Sequence, residues 1–565
     1  MIVQELCKYY ERLEDNPDIS ISPPGFSREK IHAEIVLDDK GNFLQFNDLR
    51  IQKGKKLVPV EMIVPQPFKR TISPIPNFLW DNSSYVLGAD NKGKPEKAAE
   101  CFNLFRQFHK EICSGVENPE ISAVLTFLDK WDCSGAVSLN HWDELAGGNI
   151  VFRLDGQRQY LHEKSFAKEV WLKYKNQDET SPKAFCLVSG QVQPIARLHA
   201  SVKGVRGAQS SGAALITFNL DSFCSYGKEQ NYNAPVGEIS AFYYTTALNY
   251  LLANDSKQKI QIGDATVVFW TERKSPIEGM LGMILDPKDE EIQDNEQLRF
   301  ALEAIRDAKP IPGVDPDMNF YILGLSPNNA RISVRFWYVC KLGQLEENIG
   351  RHFRDLKIQK SFDSDAEYPG IWKILYETVN KKSSEKAPLP LLAGTVIQSI
   401  LKGIDYPQGL QNAIMNRIRA DQDINYVRAA ILKAILIRNR KMEVKMSLDT
   451  ENKKPAYLLG RLFAVLEKAQ QDALGKGINA TIKDRFFGSA SATPKSVFPQ
   501  LLRLAQHHID KAEYGLKNDK LIEEILGDIQ DFPPHLTLDE QGLFVIGYYH
   551  QRQAFFAKKT ETEKE

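Results

Sequence analysis

Hydrophobic and polar positions repeat with two different periods along this chain, and the balance between them changes near residue 387. Before that point, alternating apolar positions predict strands at 33–64, 267–270, 320–325 and 331–339, with turns at Asp38-Asp39-Lys40-Gly41 and Pro327-Asn328-Asn329. Clustered β-branched and aromatic residues predict another strand at 214–219. Apolar residues spaced by three or four positions predict helices at 1–12, 98–114, 121–130 and 239–253.

Beyond residue 387 the pattern predicts helices alone. They are expected at 454–474, after Thr493-Pro494, at 518–529, and after Thr537, which forms a capping box with Glu540. The predicted fold class is α+β: a mixed-sheet N-terminal domain with helical insertions, followed by an all-α C-terminal helical bundle. The predicted boundaries are 1–386 for the α+β domain, 387–445 for a basic helical linker and 446–565 for the bundle.

Composition and charge narrow the class of protein. Of the 565 residues, 42% are hydrophobic and 26% are charged, which are ordinary values for a globular protein. A protein that binds nucleic acid by itself usually has a large positive net charge, whereas the net charge of this chain is −1. Seven scattered cysteines with no C-x-x-C favour a reducing cytoplasm. No apolar run approaches the ~18 residues of a membrane span, so a cytoplasmic protein without a membrane partner is expected.

Motifs for catalysis are missing from the sequence. There is no G-x-x-x-x-G-K-[ST] and no H-E-x-x-H, and acidic clusters such as Asp289-Glu290-Glu291 have lysines beside them, as solvated faces do. We therefore predict no catalytic residue, no metal site and no cofactor.

A glycine-rich run at 203–212, KGVRGAQSSG, is the first candidate for binding. Glycines let backbone N–H groups approach phosphates, and Lys203 and Arg206 supply charge. A flexible connection between strands is an equally good interpretation of the run taken alone. Asn219, Ser225, Tyr226, Lys228, Asn231 and Asn233 follow it closely, either as further contacts or as turn residues.

A proline-rich stretch at 65–82 is the second candidate. Its prolines would stiffen a loop that carries Lys69, Arg70 and several amides, and a stiff loop loses less entropy on binding. An ordinary surface loop, with Phe78, Leu79 and Trp80 in the core, is the alternative interpretation.

These stretches together resemble a known family. The segments LCKYYERL, GFSREKI, VPQPFKRT, NFLWDNSSYVLG, HASVKGVRGAQSSGAALITFN, SYGKEQNYNAPV, TTALNYLL and LGLSPNNARISVRFW are similar, in this order, to the large subunit of the type I-C CRISPR surveillance complex, Cascade. This is the CRISPR-associated protein eight family, subtype c. The resemblance is dense over residues 1 to about 340 and looser in the helical remainder.

The resemblance implies a subunit without catalysis of its own. It would sit at the 5′ end of a CRISPR RNA beside the Cas-five and Cas-seven subunits, read a TTC-like protospacer-adjacent motif in double-stranded DNA, promote strand opening and R-loop formation, and help recruit the Cas-three helicase-nuclease. Base pairing with the guide would read the remaining sequence.

Residue roles follow as hypotheses. Motif contact is assigned to Lys69, Arg70, Thr71, Asn77 and Asn82, and backbone contact to Lys203, Gly204, Arg206, Gly207, Gln209 and Ser210. Possible strand contacts are Asn219, Tyr226, Lys228 and Asn231.

The resemblance also implies that the terminal bundle corresponds to the Cas-eleven small subunit, made from an internal start in the same gene. Met446 is the first candidate start and Met442 the second. A basic stretch just upstream would either face DNA or form a solvated helix face; it consists of Lys433, Arg438, Arg440, Lys441 and Lys445.

Two alternatives stay open at this point. A metal-dependent nuclease or RNA-processing enzyme of the same defence system would need a cluster of carboxylates or histidines formed by residues distant in sequence. An architectural subunit would order its neighbours without touching DNA.

Overall fold

The computed structural model describes residues 1–54, 56–68, 70, 74–176, 182–383, 387–475, 480–513 and 515–556. The chain divides into two compact units, Met1–Ser201 with Ile216–Tyr250, and Val202–Leu215 with Leu251–Glu565. Mixed sheets in the N-terminal half and successive helices in the C-terminal half confirm the predicted α+β class. The predicted boundaries at residues 386 and 445 both fall inside the second unit.

The first 252 residues alternate between strands and helices. In chain order the elements are α1 (Ile2–Glu14), β1 (Phe26–Ile31), β2 (Ala33–Leu37), β3 (Phe43–Asp48), β4 (Ile51–Lys53), β5 (Lys56–Val58), β6 (Val60–Pro65), β7 (Trp80–Asn82), α2 (Ser83–Val86), α3 (Pro95–Ile112), α4 (Pro119–Lys130), α5 (Trp142–Leu145), β8 (Asn149–Leu154), α6 (Ser165–Asn176), β9 (Lys183–Phe185), β10 (Val192–Pro194) and α7 (Glu238–Leu252).

The main sheet of the first unit has the strand order β3-β2-β8-β7, in which β2 and β8 run parallel and the other pairs antiparallel. Strands β1 and β6, β4 and β5, and β9 and β10 form separate two-stranded pairs. The buried core includes Ile35 of β2, Phe152 of β8 and rings from the helices, with Phe152 lying 6.4 Å from Phe105 and 6.0 Å from Phe127 between ring centroids.

The predicted hairpin at residues 33–48 is confirmed. Asp38 closes its turn, because one carboxylate oxygen accepts the backbone N–H groups of Lys40 (2.9 Å) and Asn42 (2.7 Å). The strand predicted at 214–219 is wrong. Of residues 214–219, Ala214 alone bridges a strand, at Arg331, and the β-branched residues that follow it pair with no strand among the described residues.

The second unit combines one antiparallel sheet with thirteen helices among the residues described. Its elements are β11 (Lys259–Ile262), β12 (Ala265–Thr271), α8 (Leu281–Leu285), α9 (Asp289–Asp294), α10 (Glu296–Arg306), β13 (Asn319–Asn328), β14 (Arg331–Lys341), α11 (Leu342–Leu356), α12 (Ile371–Tyr376), α13 (Pro390–Lys402), α14 (Gln408–Asp421), α15 (Tyr426–Arg440), α16 (Pro455–Leu474), α17 (Ile482–Ala492), α18 (Pro494–Lys511), α19 (Gly515–Gly527) and α20 (Leu538–Phe556). The sheet order is β11-β12-β13-β14.

One hydrophobic core continues from this sheet into the C-terminal helices. Helices α16 and α20 approach closely through glycines: a Cβ on Gly460 would lie 2.0 Å from the backbone oxygen of Phe544, and one on Gly547 would lie 2.2 Å from that of Tyr457. The predicted capping box is confirmed at the start of α20, where the Thr537 N–H donates to Glu540 at 2.7 Å. Short-range helix signals were therefore reliable in this half.

Candidate nucleic-acid interface

The proline-rich loop at 65–82 is anchored at both ends in the first unit. At its start, the N–H of Gln66 donates to the oxygen of Gly25 at 2.9 Å. At its end, the indole N–H of Trp80 donates back to the oxygen of Pro65 at 2.8 Å. Phe68 packs edge-on against Trp171, with ring centroids 5.6 Å apart. These contacts hold both ends of the loop to the domain body.

Arg70 is an internal anchor of this loop. Its guanidinium donates to the carboxylate of Asp81 and, at 2.7 Å, to the oxygen of Ile75, and it lies 4.1 Å from the ring centroid of Tyr85. Asp81 is 1% exposed, and burial raises its pKa while Arg70 opposes that shift. Removing Arg70 would leave a buried carboxylate uncompensated, so a substitution there perturbs the loop itself as well as any DNA contact.

Two further assigned residues shape the loop from within. Asn77 is 3% exposed and its side-chain oxygen accepts the N–H of Phe68 at 3.3 Å. Asn82 is half-buried and caps α2 by accepting the N–H of Ser84 at 3.0 Å. Both side chains form hydrogen bonds within the protein, and the side chain of Asn77 is almost inaccessible to a ligand. Lys69 and Thr71 lie outside the described residues, so their assignment stays a prediction.

His109 holds the far side of the loop, and no sequence motif pointed to it. Leu79 adopts a left-handed backbone (φ 60°) and its N–H donates to Nε2 of His109 at 2.9 Å. Nδ1 therefore carries the proton and donates to the oxygen of Phe105 at 2.7 Å. Burial lowers the pKa of His109 to about 4, so the imidazole is neutral at pH 7.

The glycine-rich loop at 203–212 belongs to the second unit and is closed at its base. Val202 and Ala213 exchange two backbone hydrogen bonds of 2.9 Å. In the middle, the N–H of Arg206 donates at 3.1 Å to the hydroxyl of Thr266, on β12. All six residues assigned to backbone contact in this loop are exposed; they are Lys203, Gly204, Arg206, Gly207, Gln209 and Ser210. The loop therefore presents cations, amide and hydroxyl groups on a defined framework.

Glycine is required at two positions of this loop. Gly204 has φ 89°, and a Cβ there would lie 2.6 Å from the oxygen of Leu252. Gly207 has φ 80°, and a Cβ there would lie 3.3 Å from the ring of Pro327. A side chain would therefore disturb the loop at either position, and more at Gly204.

The loop continues to the turn between β13 and β14. Ala214 donates its N–H to the oxygen of Ala330 at 3.1 Å and accepts that of Ile332 at 2.9 Å. Two of the segments that carried the family resemblance, HASVKGVRGAQSSGAALITFN and LGLSPNNARISVRFW, thus meet in the fold. Asn328 and Asn329 of the turn are exposed.

The third candidate segment, 219–231, lies in the first unit. Asn219 and Lys228 are exposed, and Tyr226 is 99% exposed with a left-handed backbone (φ 54°). Asn233 orders this turn: it accepts the N–H of Ser225 and donates to the oxygen of Lys228, both at 2.9 Å. Asn231 is 1% exposed, so its side chain supports the segment from inside.

The basic stretch before residue 446, which both sequence interpretations placed on the surface, is exposed at Arg440, Lys441 and Lys445 but buried at its other two cations. Lys433 is 4% exposed and Arg438 is 0% exposed. Arg438 donates to the carboxylate of Asp355 at 2.8 Å, and burial lowers the pKa of Lys433 to about 8 although Asp355 opposes the shift. The prediction was wrong for these two residues because α15 is packed on all sides. Arg440 is ion-paired with Asp539 at 2.6 Å.

Two searches of the described residues give negative results. Within the ranges given above, no group of three or more His, Cys, Asp or Glu side chains is arranged to hold a metal ion. In those same ranges no helix combines the length and the apolar character that crossing a membrane requires.

These features define an α+β protein of two compact units, each of which carries exposed polar loops. The chain matches the family described as CRISPR-associated protein (Cas_Csd1) over residues 6–556. It therefore belongs to that family, and this membership supports a Cascade-type subunit of a CRISPR system. No curated protein matches the chain.

Proposed function

We propose that this chain is the large, non-catalytic subunit of a type I-C Cascade, and that it recognises a TTC-like protospacer-adjacent motif in double-stranded DNA. The family to which the chain belongs supports the proposal that it acts within an RNA-guided complex. The proposed DNA contact is supported mainly by the glycine-rich loop, which a hydrogen bond from the N–H of Arg206 to Thr266 holds against β12. Its exposed residues Lys203, Arg206 and Gln209 have side chains that can donate hydrogen bonds to phosphates and base edges.

The remaining partners belong to the same proposal. The subunit binds the 5′ end of the CRISPR RNA, contacts the Cas-five and Cas-seven subunits, promotes R-loop formation and helps recruit the Cas-three helicase-nuclease. Base pairing to the guide reads most of the target, so this chain needs few contacts of its own. A net charge of −1 is compatible with such a division.

A binding assay tests the proposal directly. The guide-loaded complex is assembled with and without this chain and presented with duplexes whose flanking trinucleotide is randomised. We expect discrimination among trinucleotides to vanish without the chain. Discrimination that persists would make the chain architectural, and metal-dependent cleavage by the isolated chain would favour the nuclease alternative.

Single substitutions then locate the contact. Arg206→Gln removes one exposed cation from the loop, and Arg299→Gln on α10 is the matched control because its side chain is 51% exposed in the same unit. Lys69→Gln tests the proline-rich loop, whereas Arg70 is left intact because it holds Asp81. We expect weaker duplex binding for Arg206→Gln and altered trinucleotide preference for Lys69→Gln. Control-like behaviour of either variant removes that residue from the proposal.

We also propose that the C-terminal helices are produced separately as a Cas-eleven-like small subunit. Met442 and Met446 both lie in the connection between α15 and α16, so translation from either would include all of α16. In the full chain α20 packs against α15 as well as α16. Expression should give a short C-terminal product that disappears when both methionine codons are changed. A product that persists would contradict the internal start.

A further inference from the structure

A small β-ribbon at residues 51–58 is separate from the larger sheets of the first unit. Among the described residues, strands β4 and β5 pair only with each other, with Ile51 opposite Val58, Gln52 opposite Leu57 and Lys53 opposite Lys56. Every described side chain of the ribbon is exposed except that of Val58, which is half-buried. The ribbon is thus an exposed two-stranded element with three lysines at or near its turn, of which Lys53 and Lys56 are described and Lys55 lies outside the described residues.

The base of the ribbon is rigidly held. Arg50 donates through Nε (3.0 Å) and Nη2 (2.7 Å) to the two carboxylate oxygens of Asp48, and through Nη2 to Glu144 at 2.7 Å. Leu49 donates its N–H to the oxygen of His32 at 2.9 Å. Bidentate arginine–carboxylate pairs set orientation as well as position. The direction in which the ribbon leaves the domain is therefore determined by its base.

Within the described part of the chain, the positive charge of Lys53 and Lys56 has no acidic counterpart. Lys53 and Lys56 face each other across the strands, an arrangement that destabilises an isolated ribbon. Among the described residues neither lysine has a carboxylate within ion-pair distance. The sequence from Leu49 to Val60 contains no acidic residue. An external anion placed between the two ammonium groups would relieve the repulsion.

We propose that this ribbon enters a groove of duplex DNA and contacts the backbone through Lys53 and Lys56, an inference that rests on the proposed function. Two strands about 4.8 Å apart, with their side chains, match the roughly 12 Å major groove of B-form DNA. The deep, narrow major groove of A-form RNA excludes such an element. Single-stranded nucleic acid is bound on aromatic side chains, and residues 49–64 contain none.

Salt dependence of binding tests this contact. The complete guide-loaded complex is prepared with K53Q/K56Q, and the control is K92Q/K94Q, which removes two exposed lysines that flank a glycine elsewhere in the same unit. Each phosphate contact contributes a slope of about −0.9 to log K against log [salt], so losing two should make the slope less negative by about 1.8. Between 50 and 200 mM salt, the wild-type and control complexes should then lose about 12-fold more affinity than the ribbon variant.

The outcomes separate the two proposals. If wild-type complex binds duplex DNA only when this chain is present, the proposed function stands, and equal slopes for K53Q/K56Q and K92Q/K94Q overturn the ribbon contact alone. If duplex binding does not depend on this chain, the proposed function itself fails. Loss of guide RNA from the K53Q/K56Q complex, with an unchanged DNA slope, would assign the ribbon to RNA and also overturn the inference.

Discussion

Gly204→Ala is the sharpest test of the glycine-rich loop because it changes shape without changing charge. A non-glycine residue in the left-handed region costs about 1–2 kcal/mol. The new Cβ would also lie 2.6 Å from the oxygen and 3.1 Å from the Cβ of Leu252, which is 1% exposed, and overpacking of this kind costs about 1–3 kcal/mol. Together the strain is about 2–5 kcal/mol, and the exposed loop must yield because the buried residue cannot.

The expected result is a loop that detaches from β12. The hydrogen bond from the N–H of Arg206 to Thr266 should be lost, so the Arg206 amide should exchange with solvent at least about 10-fold faster, the factor that 1.4 kcal/mol of local stability represents. Duplex affinity of the assembled complex should fall. The salt slope should barely change, since both cations of the loop remain.

Two substitutions provide a graded control. Gly207→Ala brings a Cβ to 3.3 Å from Pro327, and Gly93→Ala, in the first unit, meets nothing within 4 Å, although both glycines have positive φ. We expect the affinity loss to decrease from Gly204→Ala to Gly207→Ala to Gly93→Ala. Unchanged exchange and unchanged affinity in Gly204→Ala would refute the claim that the loop conformation is required for binding.

Three further predictions concern stability. Gly460→Ala forces α16 and α20 apart, which should lower the free energy of unfolding by about 3 kcal/mol and the thermal midpoint by several degrees. The control Gly488→Ala, in open space on α17, should raise the free energy of unfolding by about 0.5–1 kcal/mol. Equal midpoints for the two variants would contradict the close packing of α16 and α20. Arg438→Ala leaves the buried carboxylate of Asp355 without its cation and should lower the free energy of unfolding by about 3–5 kcal/mol in calorimetry, whereas Arg438→Lys keeps a cation and should lower it less. A neutral result for Arg438→Ala would argue against a buried pair. The pKa of His109 is about 4 in the folded protein and near 6.5 in the unfolded chain, so neutral His109 contributes fully to the free energy of unfolding above pH 6.5. As the pH falls toward 4, up to about 3 kcal/mol of that free energy is lost. The urea midpoints of wild type and His109→Gln should therefore converge over this pH range, and parallel pH profiles would contradict the prediction.

Much of the fold was predictable because its signals are local. The α7 helix, the hairpin around Asp38 and the capping box at Thr537 depend on neighbours within a few residues, and all three are confirmed. The prediction of a strand at 214–219 was wrong because a strand exists only where a partner strand lies beside it, and the part of the chain that the structure describes provides none beyond Ala214.

The candidate interface was predictable as a set of exposed turns and not as a set of contacts. Glycine content located the loop at 203–212, and its exposure agrees with that choice. Composition could not show that Arg70 is held by Asp81, since that pairing depends on how the loop folds back over the domain. Composition also did not single out Lys53 and Lys56 of the ribbon, because they lie opposite each other only in the register of β4 and β5.

By itself, the sequence determined the α+β class, several individual helices and strands, and the family, because periodicity, caps and glycine-rich motifs are contained in short segments. Only the tertiary structure decided which charged side chains are exposed and can bind a ligand. Lys433 and Arg438 are cationic in sequence and buried in the fold, whereas Lys53 and Lys56 are exposed without a carboxylate partner among the described residues. The reason is physical: burial and ion pairing are set by residues far apart in the chain, and no local pattern records them.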